Sequence, residues 1–126
     1  MPISAQIFAA LAALLHVFFF YLESVVFTQP ATWKRFGLKS QSDADVVRGM
    51  AFNQGFYNLF LALGVLVGIV LIHSSEVAAG HGIVLFGCAC MLSASLVLAS
   101  TGKSYARAAV IQGLFPALAI LITLAA

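Results

Sequence analysis

Residues 52–64 read FNQGFYNLFLALG, which opens a long apolar run yet carries three amides and a phenol within six positions. The apolar run is about as long as the 20 helical residues that cross a hydrocarbon core of about 30 Å. Only helices and closed barrels satisfy their backbone hydrogen bonds in lipid, and an unbroken apolar run lacks the alternation of a barrel strand. The stretch therefore predicts a membrane-spanning helix that carries polar groups into the bilayer.

The composition of the whole chain supports this interpretation. Of its 126 residues, 63% are hydrophobic and 8% are charged, whereas soluble domains are about 45–50% apolar and about 25% charged. So few charged side chains could not cover a soluble fold of this size, and membrane lipids are the expected surroundings. The net charge of +2 comes without a basic patch, which argues against nucleic acid as a partner.

Four segments have the length and apolarity of membrane spans. They predict an all-α fold, a four-helix transmembrane bundle, built as one integral membrane domain over residues 1–126. The predicted spans cover about residues 3–27, 46–73, 81–100 and 105–126. The first span has no basic residue before it and contains Glu23, so we interpret it as a retained helix and not a cleaved signal.

The distribution of basic residues predicts the orientation. All six flank the first and third loops, which lie on the same side of a four-span protein, and the positive-inside rule makes that side cytoplasmic. Both termini are then outside (N-out/C-out), in a multi-pass protein of the cell inner membrane. The six residues are Lys34, Arg35, Lys39, Arg48, Lys103 and Arg107.

The first loop contains the mixed segment ATWKRFGLK, residues 31–39. Aromatic and basic side chains alternate here, a pattern that fits an element lying on the membrane surface with its aromatic rings in lipid. A plain solvated loop fits the same residues.

Polar side chains inside the spans predict a shared pocket toward the cytoplasmic half of the membrane. His16 and Glu23 are seven residues apart, so on a regular helix they differ by about 20°, and Pro116 removes the helical partner of the Gln112 carbonyl. Intramembrane ionisable groups are functional candidates by default, although interhelical amides also serve as packing contacts alone. The predicted ligand-binding residues are His16, Glu23, Asn53, Gln54, Tyr57, Asn58 and Gln112, with Arg48 and Arg107 at the pocket mouth.

Recognisable catalytic and metal motifs are missing from the sequence. It has no nucleophile elbow, zinc-protease helix, phosphate loop or dinucleotide fingerprint, and the sequence leaves any cofactor unknown. His73 and His81 flank the second loop and fit an interfacial position better than a metal site, because no Cys or Asp accompanies them.

Two blocks carry a resemblance to a known family. HVFFFYLE (residues 16–23) and NQGFYNLFLALG (residues 53–64) resemble small bacterial membrane proteins grouped as domain of unknown function 1304, and the similarity covers essentially the whole chain. The family often has Trp after the acid of its first span, where this chain has Phe27. The resemblance implies a four-helix integral membrane protein without a settled activity, and a shared site at His16, Glu23, Asn53, Gln54, Tyr57 and Asn58.

These observations favour a protein that binds or carries a small amphipathic molecule, lipid-like or quinone-like, in a polar pocket open to the cytoplasmic side. The amides would supply hydrogen bonds and Glu23 a charge or proton. Other classes remain open: a small proton-coupled transporter using Glu23, a membrane-embedded enzyme using His16 and Glu23 as acid and base, or a structural subunit. The Gly64 and Gly68 spacing is compatible with a homo-oligomer.

Overall fold

The structure, a computed structural model, describes the whole chain from Met1 to Ala126. It is 86% helical and has no strands. Four helices are long and apolar enough to cross a membrane, at Ile3–Val25, Gln41–Ile72, Val77–Ser100 and Lys103–Leu124. The all-α fold class predicted from the sequence is therefore confirmed.

The helices follow one another with short connections. Helix α1 runs over Ile3–Phe20 and continues as a π-helical turn, Tyr21–Val25. The short helix α2, Pro30–Trp33, leads into a 3₁₀ turn over Lys34–Phe36, and a second 3₁₀ turn covers Lys103–Tyr105. The remaining helices are α3 (Gln41–Ile72), α4 (Val77–Ser100) and α5 (Ala106–Leu124).

Local chemistry explains where the first loop turns. Pro30 occupies the first turn of α2, where its missing N–H costs nothing because that group has no helical partner anyway. Gly37 follows the 3₁₀ turn with φ of 77°, a left-handed conformation that glycine adopts without steric cost. Ser40 caps the start of α3, since its Oγ accepts a hydrogen bond from the backbone N–H of Asp43 at 3.0 Å.

The chain divides into two compact units. We call Met1–Leu15 together with Leu61–Ala126 the large unit, and His16–Phe60 the small unit. In the large unit, α4 and α5 form a helical hairpin. Gly113 is buried beside Ser95, where a side chain would collide with the serine.

Small residues also bring α3 and α4 together in the large unit. A Cβ atom on Gly80 would lie 2.7 Å from the carbonyl oxygen of Gly68, whereas one on Gly64 would meet nothing within 4 Å. Close backbone approach at small residues is the usual way that helices pack in lipid. Of the two glycines in the GxxxG spacing, Gly68 therefore makes the contact within the chain.

The core of the small unit is built from the first loop. Phe27, Trp33 and Ala44 are buried together, and Trp33 Nε1 donates a hydrogen bond to Gln41 Oε1 at 3.1 Å. Trp33 is only 7% exposed, so its ring packs inside the protein. At Trp33 both the surface-lying arrangement, with this ring in lipid, and the plain solvated loop are wrong, because Gln41 and the apolar core hold the indole.

Candidate functional site

Glu23 lies in the middle of the π-helical turn that ends the first span. The backbone N–H of Val26 donates to the carbonyl oxygen of Tyr21 at 3.1 Å, five residues back where an α-helix would use four. Single π turns within α-helices are rare and occur frequently at functional sites. The turn begins at Tyr21, between His16 and Glu23, so the 20° relation expected for a regular α-helix no longer applies.

An amide from α3 anchors the carboxylate of Glu23. Asn58 Nδ2 donates a hydrogen bond to Glu23 Oε2 at 2.6 Å, and Asn58 is 7% exposed. No basic side chain forms an ion pair with Glu23. A carboxylate offers about four acceptor positions, so Glu23 keeps most of its acceptor capacity after this bond.

Two residues that the sequence analysis did not single out hold the π turn against α3. Ser24 Oγ donates a hydrogen bond to the carbonyl oxygen of Phe52 at 2.8 Å. Gly55 is buried at the same contact, where an added Cβ would meet Ser24 Oγ and lie 3.1 Å from the Cβ of Glu23. The close approach that places Glu23 within reach of Asn58 therefore requires glycine at position 55.

A groove of about 380 Å³ opens beside Glu23. Its polar lining consists of Glu23 and Gln54, and its remaining walls are apolar. Part of this apolar wall, contributed by Phe27, Leu38, Val47 and Ala51, belongs to the core around Trp33. The apolar lining residues are Phe27, Phe36, Leu38, Val47, Met50 and Ala51.

The polar residues of α3 divide between two faces of the helix. Gln54 and Asn58 differ by about 40° around the axis; Gln54 lines the groove and Asn58 binds Glu23. Asn53 and Tyr57 precede them by one residue each, about 100° around the helix; both side chains are exposed, as is that of Gln54, but neither lines the groove. The structure thus brings Glu23, Gln54 and Asn58 together, and leaves Asn53 and Tyr57 outside the groove.

His16 is placed differently from the groove residues. Its side chain is 1% exposed, and its ring contacts Phe19 edge-on with 5.3 Å between centroids. It belongs to the small unit but does not line the groove. The predicted role of His16 in ligand binding stays a prediction.

The other predicted site residues lie along α3 and α5. Arg48 is exposed on α3, next to the groove residue Val47, without lining the groove itself. Gln112 is half-buried in α5, and Arg107 is exposed in the first turn of that helix. Both α5 residues belong to the large unit, and their grouping with the residues of the small unit stays a prediction.

A separate polar contact in the large unit was missed by the sequence analysis. His73 Nε2 donates a hydrogen bond to Gln6 Oε1 at 2.7 Å, and the Gln6 side chain is buried. The signal was present, since Gln6 is an amide inside an apolar span. His73 and His81 do not form part of a cluster of three or more metal-ligating side chains.

Comparison with known proteins agrees with the resemblance noted in the sequence. The model of a family described as "Protein of unknown function (DUF1304)" matches residues 10–124. No curated protein and no solved structure matches the chain.

Proposed function

The chain belongs to the DUF1304 family, proteins of unknown function, and we propose that it is an integral membrane protein that binds a small amphipathic molecule in the groove of the small unit. The observation that carries this proposal is the lining of the groove, which sets a carboxylate and an amide beside six apolar side chains. Its volume of about 380 Å³ lies within the range of small-molecule sites, about 300–1,000 Å³.

The surroundings of Gln54 support binding over simple helix packing. An amide that only joins helices is hydrogen-bonded to a neighbouring helix, as Asn58 is to Glu23. Gln54 lines the groove and is exposed there, and no hydrogen bond joins its side chain to another helix. An amphipathic ligand would supply that partner while its apolar part covers the remaining walls.

The proposed location follows from the first loop. Phe36 and Leu38 of this loop line the groove, and the loop carries three basic residues, Lys34, Arg35 and Lys39. The positive-inside rule then assigns the groove to the cytoplasmic side of the inner membrane, with both termini outside.

Filling the groove tests the proposal. We expect Ala51→Phe to abolish the retention of a bound amphiphile, because the added ring occupies the space between Val47 and Gln54. Retention is measured by native mass spectrometry of protein taken from its own membrane into nanodiscs. Val70→Phe, at an exposed position outside the groove, is the matched control and should retain the ligand. Equal retention in Ala51→Phe, with circular dichroism unchanged, would contradict the proposal.

A proton-coupled transporter is the second candidate, supported by the π turn at Glu23. Glu23 would couple proton movement to substrate movement, so Glu23→Gln should abolish pH-driven flux in liposomes without preventing insertion.

An enzyme would instead turn over the retained molecule. A structural subunit is indicated if Glu23→Gln and Gln54→Leu both leave retention and flux unchanged and raise the thermal stability.

A further inference from the structure

We propose that the groove selects single-chain amphiphiles with a positively charged, hydrogen-bond-donating head group, such as a primary ammonium. This inference rests on the proposed function, since it names the class of ligand that the same groove takes. Charge, hydrogen-bonding capacity and size each contribute to the assignment.

The charge of the groove comes from one side chain. Glu23 is its only acidic lining residue, and no Lys, Arg or His lines it. An anionic head group would lie beside a carboxylate with no cation to offset the repulsion. A cationic head group would provide the opposite charge that Glu23 lacks within the protein, and charges removed from water are tolerated chiefly when paired.

The basic residues nearby in the sequence do not fill this role. Lys34, Arg35, Lys39 and Arg48 are exposed and none of them lines the groove. The ammonium of Lys34 lies over the ring of Trp33, 5.7 Å from its centroid. A ligand would therefore have to supply the positive charge that neutralises Glu23.

Hydrogen bonding favours a head group that donates. Asn58 donates one bond to Glu23 Oε2, which leaves about three of the four acceptor positions of the carboxylate. Gln54 adds a carbonyl acceptor at the groove together with an NH₂ donor, so the preference for a donating head group comes chiefly from Glu23. A primary ammonium has three N–H donors and can serve both residues, whereas a quaternary ammonium has none.

Size favours a single apolar chain. The volume of about 380 Å³ lies near the lower end of the range for ligand sites. The six apolar lining residues form an open wall against which one alkyl or aromatic tail can lie.

The experiment uses the intact protein in nanodiscs and four amphiphiles that share one tail: dodecylammonium, dodecyltrimethylammonium, dodecanol and dodecanoate. Trp33 is the only tryptophan and packs with groove residues, so its fluorescence reports occupancy. We expect dodecylammonium to bind at least about tenfold more tightly than each of the others, equivalent to about 1.4 kcal/mol. Glu23→Gln should reduce the preference to less than about threefold, whereas Asp43→Asn, which removes an exposed carboxylate, should retain it.

The outcomes separate this inference from the proposed function. If dodecanoate or dodecanol binds as tightly as dodecylammonium, the groove binds amphiphiles and the head-group assignment is wrong. The same conclusion follows if Asp43→Asn removes the preference as fully as Glu23→Gln does. If none of the four changes Trp33 fluorescence and none is retained in native mass spectra, the proposed function itself is wrong. The wild-type series decides these cases even if Glu23→Gln does not fold.

Discussion

Asn53 and Asn58 are the same residue type, five positions apart on one helix, yet they have opposite surroundings. Asn58 is buried and donates to Glu23, whereas Asn53 is exposed. Removing an amide that donates to a half-buried carboxylate is costly, because the carboxylate loses its donor while part of it stays away from water. The pair therefore offers an internal test of the Glu23 contact.

We predict that Asn58→Leu lowers the free energy of unfolding by about 1–3 kcal/mol, the cost of leaving a buried polar group unsatisfied. Asn53→Leu, the matched control, should change it by less than about 0.5 kcal/mol. Unfolding by sodium dodecyl sulfate in mixed micelles measures both. In a Glu23→Leu background the cost of Asn58→Leu should fall, because the acceptor is gone. Equal costs for the two asparagines would show that the bond to Glu23 contributes no net stability.

Polar residues in apolar runs were the part of the site that could be predicted. Glu23, Gln54 and Asn58 stand out because burying such groups in lipid is costly, so residue type marked them as candidates. Asn53 and Tyr57 carried the same signal and lie outside the groove. Residue type cannot separate these cases, since a rotation of about 100° on one helix decides which side chains meet the first span.

At the level of helices, the contact between the π turn and α3 depends on Gly55. An alanine there would bring its Cβ to 3.1 Å from the Cβ atoms of both Glu23 and Ser24. Gly49 lies on the same helix with nothing within 4 Å of an added Cβ, so it is the matched control. Comparing alanine substitutions at the two glycines therefore distinguishes the effect on helix propensity from the effect on helix packing.

We predict that Gly55→Ala destabilises the protein by about 1–3 kcal/mol, the usual cost of forcing extra volume into a packed contact. Gly49→Ala should stabilise it by about 0.5–1 kcal/mol, because alanine loses less backbone entropy in a helix. Detergent unfolding measures both, and native mass spectrometry should detect ligand loss only for Gly55→Ala. If Gly55→Ala stabilised the protein, the contact between the π turn and α3 would contribute nothing to its stability.

The element boundaries show why other features could not be predicted. The segment YLESV forms a π turn, although its residue types are equally compatible with an α-helix. The contacts that favour the π turn are the hydrogen bond from Ser24 to Phe52 and the close approach at Gly55. Trp33 is buried because Gln41, eight residues later, accepts its indole N–H. In both cases the contacting residue lies outside the segment itself and is of a common type, so no local sequence pattern predicts the contact.

For the whole molecule, the length of α3 sets a constraint. Its 32 residues span about 48 Å at 1.5 Å per residue, more than a hydrocarbon core of about 30 Å. Part of the helix must therefore lie beyond the hydrocarbon or tilt within it. The N-terminal part carries Val47, Met50 and Ala51 of the groove, so the proposed ligand site would lie near the level of the lipid head groups.

The orientation can be tested directly. In a background with Cys88 and Cys90 replaced by alanine, we predict that a membrane-impermeant maleimide labels Ser75→Cys in intact cells. Lys39→Cys should be labelled only after permeabilisation, because the positive-inside rule predicts a cytoplasmic first loop. The reverse labelling pattern would place the groove on the outer side of the membrane and remove the cytoplasmic assignment.

The π turn also has a practical consequence for any probe placed on the first span. A helical wheel with a 100° step describes α1 only as far as Phe20, since the five residues that follow make a wider turn. Cross-linking pairs or spin labels chosen from that wheel beyond Phe20 would report the wrong neighbour. Removing one residue between Tyr21 and Val25 should convert the π turn to an α-helical turn. The side chain of Glu23 would then rotate away from its contact on α3.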